Sequence, residues 1–144
     1  MLTIKFEAPL KATSTATMFT DASLSGYGIV ILDYGPKPIR IFAGKWSSEE
    51  QTLSINQLEL KALIIGIRIL SRLKPSHDIL SLKAQIDNTS VRSWALKRRA
   101  PTYKANAMTV QLDEELKSSN IILESLDYVN TLRNLADKPS RRFE

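Results

Sequence analysis

The chain has no cysteine. That absence rules out a disulfide framework, cysteine-ligated zinc and a thiol nucleophile, and it is compatible with a reducing compartment. No uninterrupted apolar run is long enough to span a bilayer. The opening residues, MLTIKFEAPLKATSTAT, carry acid and base too early for the apolar stretch of a secretory leader. Internal repeats, low-complexity tracts and Pro/Gly/Ser linkers are also missing, so nothing divides the chain.

What is present suits one folded domain with a real core: 144 residues, 43% hydrophobic and 24% charged. Twenty Lys and Arg against 15 Asp and Glu give a formal charge of +5, which permits a polyanionic partner without demanding one. The placement of charge says more. Arg92, Lys97, Arg98, Arg99 and Lys104 follow one another with no acid between them. They fit either a solvated helix end, where cations favour the negative pole, or a phosphate-binding patch.

Residues 1–15 read as an arm or the remnant of an upstream junction, and residues 16–144 as the domain. Residues 16–22 and 26–32 alternate as strands around the tight joint SLSG, which predicts an antiparallel hairpin. DYGPKP is a turn, and IRIFAGKW alternates again as a third strand. The period then changes. INQLELKALIIGIRILSRL places Leu58, Ala62, Ile65 and Ile69 at helical spacing, and further apolar residues widen the face until Pro75 ends the run. ILSLKAQID predicts a fourth strand ending in Asp87, with Asn88, Thr89 or Ser90 capping the short helix that follows. Pro101 is expected to open another helix, NIILESLDYV a last strand, and NTLRNLADKPSRR a loop with a turn or two of helix. The order β-β-β-α-β-α-α-β-α predicts an α/β fold: a five-stranded mixed sheet, three strands as an antiparallel meander and two parallel, flanked by helices.

In that order four acids gain a common address. Asp21 ends strand one, Asp87 ends strand four, Glu59 lies in the first turn of the long helix and Asp137 in the last element. If strands one and four are parallel neighbours, their acids leave the sheet at one edge, where open α/β sheets bind ligands. Each acid also has a plainer reading: Asp21 as a turn residue, Glu59 favouring a helix's positive pole, Asp87 as a cap, Asp137 in an ion pair with Lys138. Gathered together, the four would repel unless protons or a divalent cation neutralised them. An all-oxygen set suits Mg²⁺ or Mn²⁺, and two such ions can act on both oxygens of an in-line phosphoryl displacement.

The stretches FTDAS…GYGIV, INQLELKAL, QIDNTSV and NLADKPSR resemble, in order, the ribonuclease H domain of reverse transcriptases. DNTSV and the Pro-Ser-Arg ending lean toward its hepadnavirus-like and tyrosine-recombinase retroelement branches. The resemblance spans roughly residues 16–142 and implies the ribonuclease H-like fold. It implies an endonuclease that cuts the RNA strand of RNA–DNA hybrids with two Mg²⁺ or Mn²⁺ ions held by Asp21, Glu59, Asp87 and Asp137. It also implies that Asn56 and Gln57 reach the hybrid minor groove, where a hydrogen bond can sense a 2′-OH. Ser23, Ser25, the Gly26 backbone and Asn88 would line the same groove, and Lys97, Arg98, Arg99 and Lys104 would hold phosphates. An adjoining polymerase domain and an intracellular or virus-like-particle setting follow from the same resemblance.

One departure stands out. Cellular relatives carry a histidine on a loop before the last acid; here that stretch is YVNTLRNLAD, and the only histidine, His77, lies in the connection after the long helix. That gap keeps open a second expectation, a catalytically weak or inactive domain serving as a nucleic-acid-binding scaffold. A resolvase or integrase core fits less well, since those lack an acid where Glu59 stands.

Overall fold

The computed structural model describes residues 12–144. Residues 1–11, most of the expected arm, lie outside the described residues. Five strands form one sheet: β1 (Ser14–Ala22), β2 (Gly26–Tyr34), β3 (Lys37–Lys45), β4 (Leu80–Ile86) and β5 (Ile121–Tyr128), in the spatial order β3-β2-β1-β4-β5. β1, β2 and β3 pair antiparallel, while β4 runs parallel to both β1 and β5. The mixed sheet predicted from the element order is therefore the one observed. β1 starts at Ser14, two residues earlier than its alternation suggested, and β3 starts at Lys37 and stops at Lys45, leaving Trp46 beyond its end.

Helix α1 (Ile55–Leu73) coincides with the predicted helical run. Its start is a capping box: the Gln57 amide donates to the Ser54 hydroxyl, and the Ser54 amide donates to the Gln57 side chain. Its apolar face is wide because it covers the sheet. Leu60, Leu63, Ile64, Ile67 and Leu70 are buried against Met18, Ile29 and Ile31, with Leu82, Ala84 and Ile86 of β4 in the same core. Helices α2 (Thr89–Lys97) and α3 (Tyr103–Ser118) complete that layer through Val91, Ala95, Met108 and Leu112. Thr102, not Pro101, opens α3: its hydroxyl accepts from the Ala105 amide, and Tyr103 is the first helical residue.

The other face of the sheet is thinly covered. Phe19 and Val30 bury against Ala136, at the start of the short helix α4 (Asp137–Ser140). Ile39 and Ile41 of β3 remain about half exposed. Among the described residues no helix is long and apolar enough to cross a membrane.

Candidate active site

β1 and β4 are parallel neighbours in register from Ser14↔Leu80 to Phe19↔Gln85, so Asp21 and Asp87 leave the sheet at the same edge. α1 crosses back over the sheet and starts at that edge. Glu59 is the fifth residue of α1, just past the first turn in which the sequence reading placed it, and it is buried. One carboxylate oxygen from each of Asp21, Glu59 and Asp87 lies within 4.8 Å of the others. Asp87 does not cap α2; Asn88 does, its side chain accepting from the Val91 amide at 3.0 Å.

Asp137 arrives from the far end of the chain, and the route is fixed by two devices. Asn134 is buried; its side chain donates to the Thr20 carbonyl at 3.1 Å and accepts from the Ala136 amide at 3.0 Å. Gly28, the β2 partner of Asp21, leaves room for the turn above it. A Cβ there would stand 2.5 Å from both the Ala136 carbonyl oxygen and the Ser140 nitrogen. The Gly-Tyr-Gly stretch is thus needed for chain packing. Gly26 is similar, since a Cβ there would lie 2.4 Å from the Gly44 carbonyl oxygen.

The four acids share an open cleft of about 500 Å³ whose lining also includes Ser23, Ser25, Thr131, Arg141 and Glu144. Burial pushes the Glu59 carboxyl up to about 9, with the charges of Asp21, Asp87 and Asp137 adding to the shift. Burial likewise lifts Asp21 to about 7, reinforced by Asp87 and Asp137. At neutral pH a cation-free cleft therefore keeps protons on groups that normally ionise near pH 4. A divalent ion removes that cost, and three convergent carboxylate oxygens form the hard donor set that suits one.

The expected groove residues divide by what their side chains already do. Asn88 donates to the Asn56 carbonyl oxygen at 2.8 Å, which ties the start of α2 to the start of α1 and leaves the Asn56 amide donors free. The Gln57 carbonyl oxygen is held in the capping box, and its NH₂ group is the remaining handle. Ser25 is half-buried beside the cleft, whereas Ser23 is buried and bonded inward: its hydroxyl donates to the Ser140 carbonyl at 2.6 Å and accepts from the Gly26 amide at 3.1 Å. Ser23 thus binds the first turn to the last helix. Neither that role nor Asn134's was read from the sequence, although the run Asn-Leu-Ala-Asp carried the only available signal.

Among the basic residues, Lys97, Arg99 and Lys104 are exposed, and Lys97 and Arg99 line a depression of about 470 Å³ together with Trp94 and Pro101. Arg98 has a different position. It sits in the left-handed conformation (φ 54°) that ends α2, and its Nε lies 3.1 Å from Asp113 on α3. Trp46 is buried, its indole N–H donating to the Ser23 carbonyl at 2.9 Å; Trp94 packs partly against the main core. His77 is exposed in the connection between α1 and β4, at the opposite pole of the sheet from the acids.

No protein-family model and no curated protein sequence matches the chain. Solved structures do. The N-terminal RNase H domain of a Mycobacterium tuberculosis protein superposes with a TM-score of 0.64 at 17% identity, over 87% of this chain and 95% of that one. LC11-RNase H1, from a compost metagenome and in complex with RNA/DNA hybrid, gives 0.67 at 12% identity, over 87% and 91%. Foamy viral protease-reverse transcriptase, also in complex with RNA/DNA hybrid, gives 0.54 at 13% identity, covering 96% of this chain and 21% of that one. At such identities the likeness defines architecture. The fold is the ribonuclease H fold.

Proposed function

We propose that the domain is an endonuclease that hydrolyses the RNA strand of RNA–DNA hybrids with the help of two divalent metal ions. The observation that carries this reading is the convergence of Asp21, Glu59 and Asp87 within 4.8 Å, with Asp137 in the same cleft, on a ribonuclease H fold. Four acids from four separate elements meet only because β1 and β4 are parallel and Gly28 lets α4 close over β2. As surface decoration such a meeting would only destabilise the domain.

Asp21, Glu59, Asp87 and Asp137 would hold Mg²⁺ or Mn²⁺. Bound there, the ions supply a water nucleophile at neutral pH and neutralise charge on the leaving oxygen. Glu59 and Asp21 are buried, so bulk water is excluded from one side of the cleft. Water attacks phosphorus, the bond to the 3′ oxygen breaks, and the products carry a 5′-phosphate and a 3′-hydroxyl. No side chain is needed as nucleophile. The amide donors of Asn56 and Gln57 would sense 2′-hydroxyls, with Ser25 and Asn88 alongside. Lys97, Arg99 and Lys104 would hold phosphates without reading sequence.

The foamy viral neighbour carries its matching region within a protease-reverse transcriptase chain. An adjoining polymerase domain, with the residues ahead of β1 as the junction, fits this reading, as does an intracellular or particle-borne setting. The hepadnavirus-like or tyrosine-recombinase lean rests on DNTSV and NLADKPSR alone. The position of His77, far from the acids, favours the rival of a binding domain with weak turnover. A labelled hybrid incubated with Mg²⁺ or Mn²⁺ separates the two. Cutting by the native chain, and a loss on the order of 10²-fold or more in a folded Asp87→Asn variant, supports the nuclease. Equal cutting by both proteins defeats it.

A further inference from the structure

Of the described residues lining the acid cleft, Arg141 alone is cationic. Its Nε lies 3.1 Å from Asp137 Oδ1, and its Nη1 lies 3.1 Å from Glu144 Oε1. The backbone that carries it is held rigidly. Ser140 is buried; its hydroxyl donates to the Asp137 carbonyl at 2.7 Å and stands 3.4 Å from Asp21 Oδ2, while its own carbonyl accepts from Ser23. The side chain is not held the same way. Arg141 is 54% exposed, and an ion pair at such a site contributes little, so exchanging its partner costs little.

Charge gives that exchange a purpose. Five carboxylates line the cleft: Asp21, Glu59, Asp87, Asp137 and Glu144. Two divalent ions would leave one negative charge, which repels a phosphodiester; one fixed guanidinium cancels it. The guanidinium has five donors in a planar fork. Two bonds to carboxylates leave donors over for a phosphate oxygen, a partner that Arg binds well.

We propose that Arg141 is a positioning cation of this cleft. It holds the Asp137 carboxylate while no ion is bound, and it turns to the substrate phosphate once that carboxylate faces an ion. This rests on the nuclease reading and adds a residue to it. It also gives Arg141 two opposed effects: it competes with the ion for Asp137, and it assists the phosphate.

Opposed effects make the test specific. Mn²⁺ binding to the nucleic-acid-free domain is measured by titration calorimetry for the native chain, Arg141→Gln, Arg141→Lys and the control Lys138→Gln. Cleavage of a labelled hybrid is measured in parallel. Arg141→Gln is expected to bind Mn²⁺ about two- to five-fold more tightly. The same variant is expected to cut about ten-fold more slowly or worse. Arg141→Lys should lie between it and the native chain in both, and Lys138→Gln should match the native chain. A residue that merely braces the fold would weaken both properties together. Parallel losses, or no change in Mn²⁺ affinity, overturn the proposal. A native chain that neither binds Mn²⁺ nor cuts overturns the nuclease reading itself; one that does both while Arg141→Gln behaves like it overturns only the role of Arg141.

Discussion

The two ends of β1 and β4 treat their carboxylates in opposite ways. Where the strands begin, Asp78 accepts hydrogen bonds from the hydroxyls of Ser14, at 2.6 Å, and Thr13. Those hydroxyls hold its carboxyl below the usual range. Beside it the buried Lys74 ammonium donates to the carbonyls of Pro75 and Asp78 at 3.0 and 2.8 Å. Where the strands end, Asp21 and Glu59 are buried and shifted upward, and the residues nearest them are other acids. Among the described residues the one donor that answers them at short range is the Ala22 amide, 2.9 Å from Asp21; the Ser140 hydroxyl stands 3.4 Å away and is bonded to the Asp137 carbonyl. One pole gives Asp78 donors and Lys74 acceptors, and so stabilises the fold. The other withholds donors, which costs stability unless a ligand supplies positive charge.

Swapping Glu59 for Gln should have the largest effect on this contrast. In chelator at pH 8 the variant should be more stable on the order of 3 kcal/mol by urea titration, because a neutral amide takes up no proton on folding; it should also lose hybrid cleavage. The pH dependence follows with its sign. Folded-state values raised to about 7 and about 9 mean that the contribution of Asp21 and Glu59 is fully present below the ordinary carboxylate range and lost as pH rises through those values. Metal-free stability should therefore decline between about pH 4 and pH 9, and saturating Mg²⁺ should flatten the decline. A flat profile in chelator would show that the acids do not press on one another.

Gly28→Ala comes next. Its methyl group would collide with the 136–140 turn, so a loss of about 2–3 kcal/mol is expected, and Asp137 would be lifted away from Asp21. Metal affinity should fall with stability. Lys74→Met, at the other pole, should cost about 1–2 kcal/mol by stranding two carbonyls, with cleavage and Mn²⁺ affinity unchanged. Ser14→Ala removes one hydroxyl from Asp78 and should cost about 0.5–1 kcal/mol. If either of these last two altered metal binding, the separation between the poles would fail.

Much of this arrangement was legible because it depends on periodicity and element order. The apolar spacing after Ser54 and the proline at 75 bounded α1, and the change from alternation to helical spacing set the topology. Once β1 and β4 were parallel neighbours, Asp21 and Asp87 had to share an edge. What stayed hidden depends on contacts between distant residues. Nothing local to Arg98 reveals that Asp113 waits on the next helix, so the run of cations reads as one patch although one member also pairs with a carboxylate. Ser23 lines the cleft beside Asp21, but that its hydroxyl bonds to Ser140, 117 residues on, has no local signal. Gln57 belongs to a Ser-x-x-Gln capping signal that is present in the sequence.

Among the described residues β3 pairs with β2 alone, and none of them covers its outer margin. A margin of that kind invites another strand to join it, and the half-exposed Ile39 and Ile41 add an incentive. Lys37, Arg40 and Lys45 along the same strand act as gatekeepers: two copies approaching margin to margin bring like charges together. Salt weakens that repulsion, so concentrated stocks of the free domain will keep best at low ionic strength.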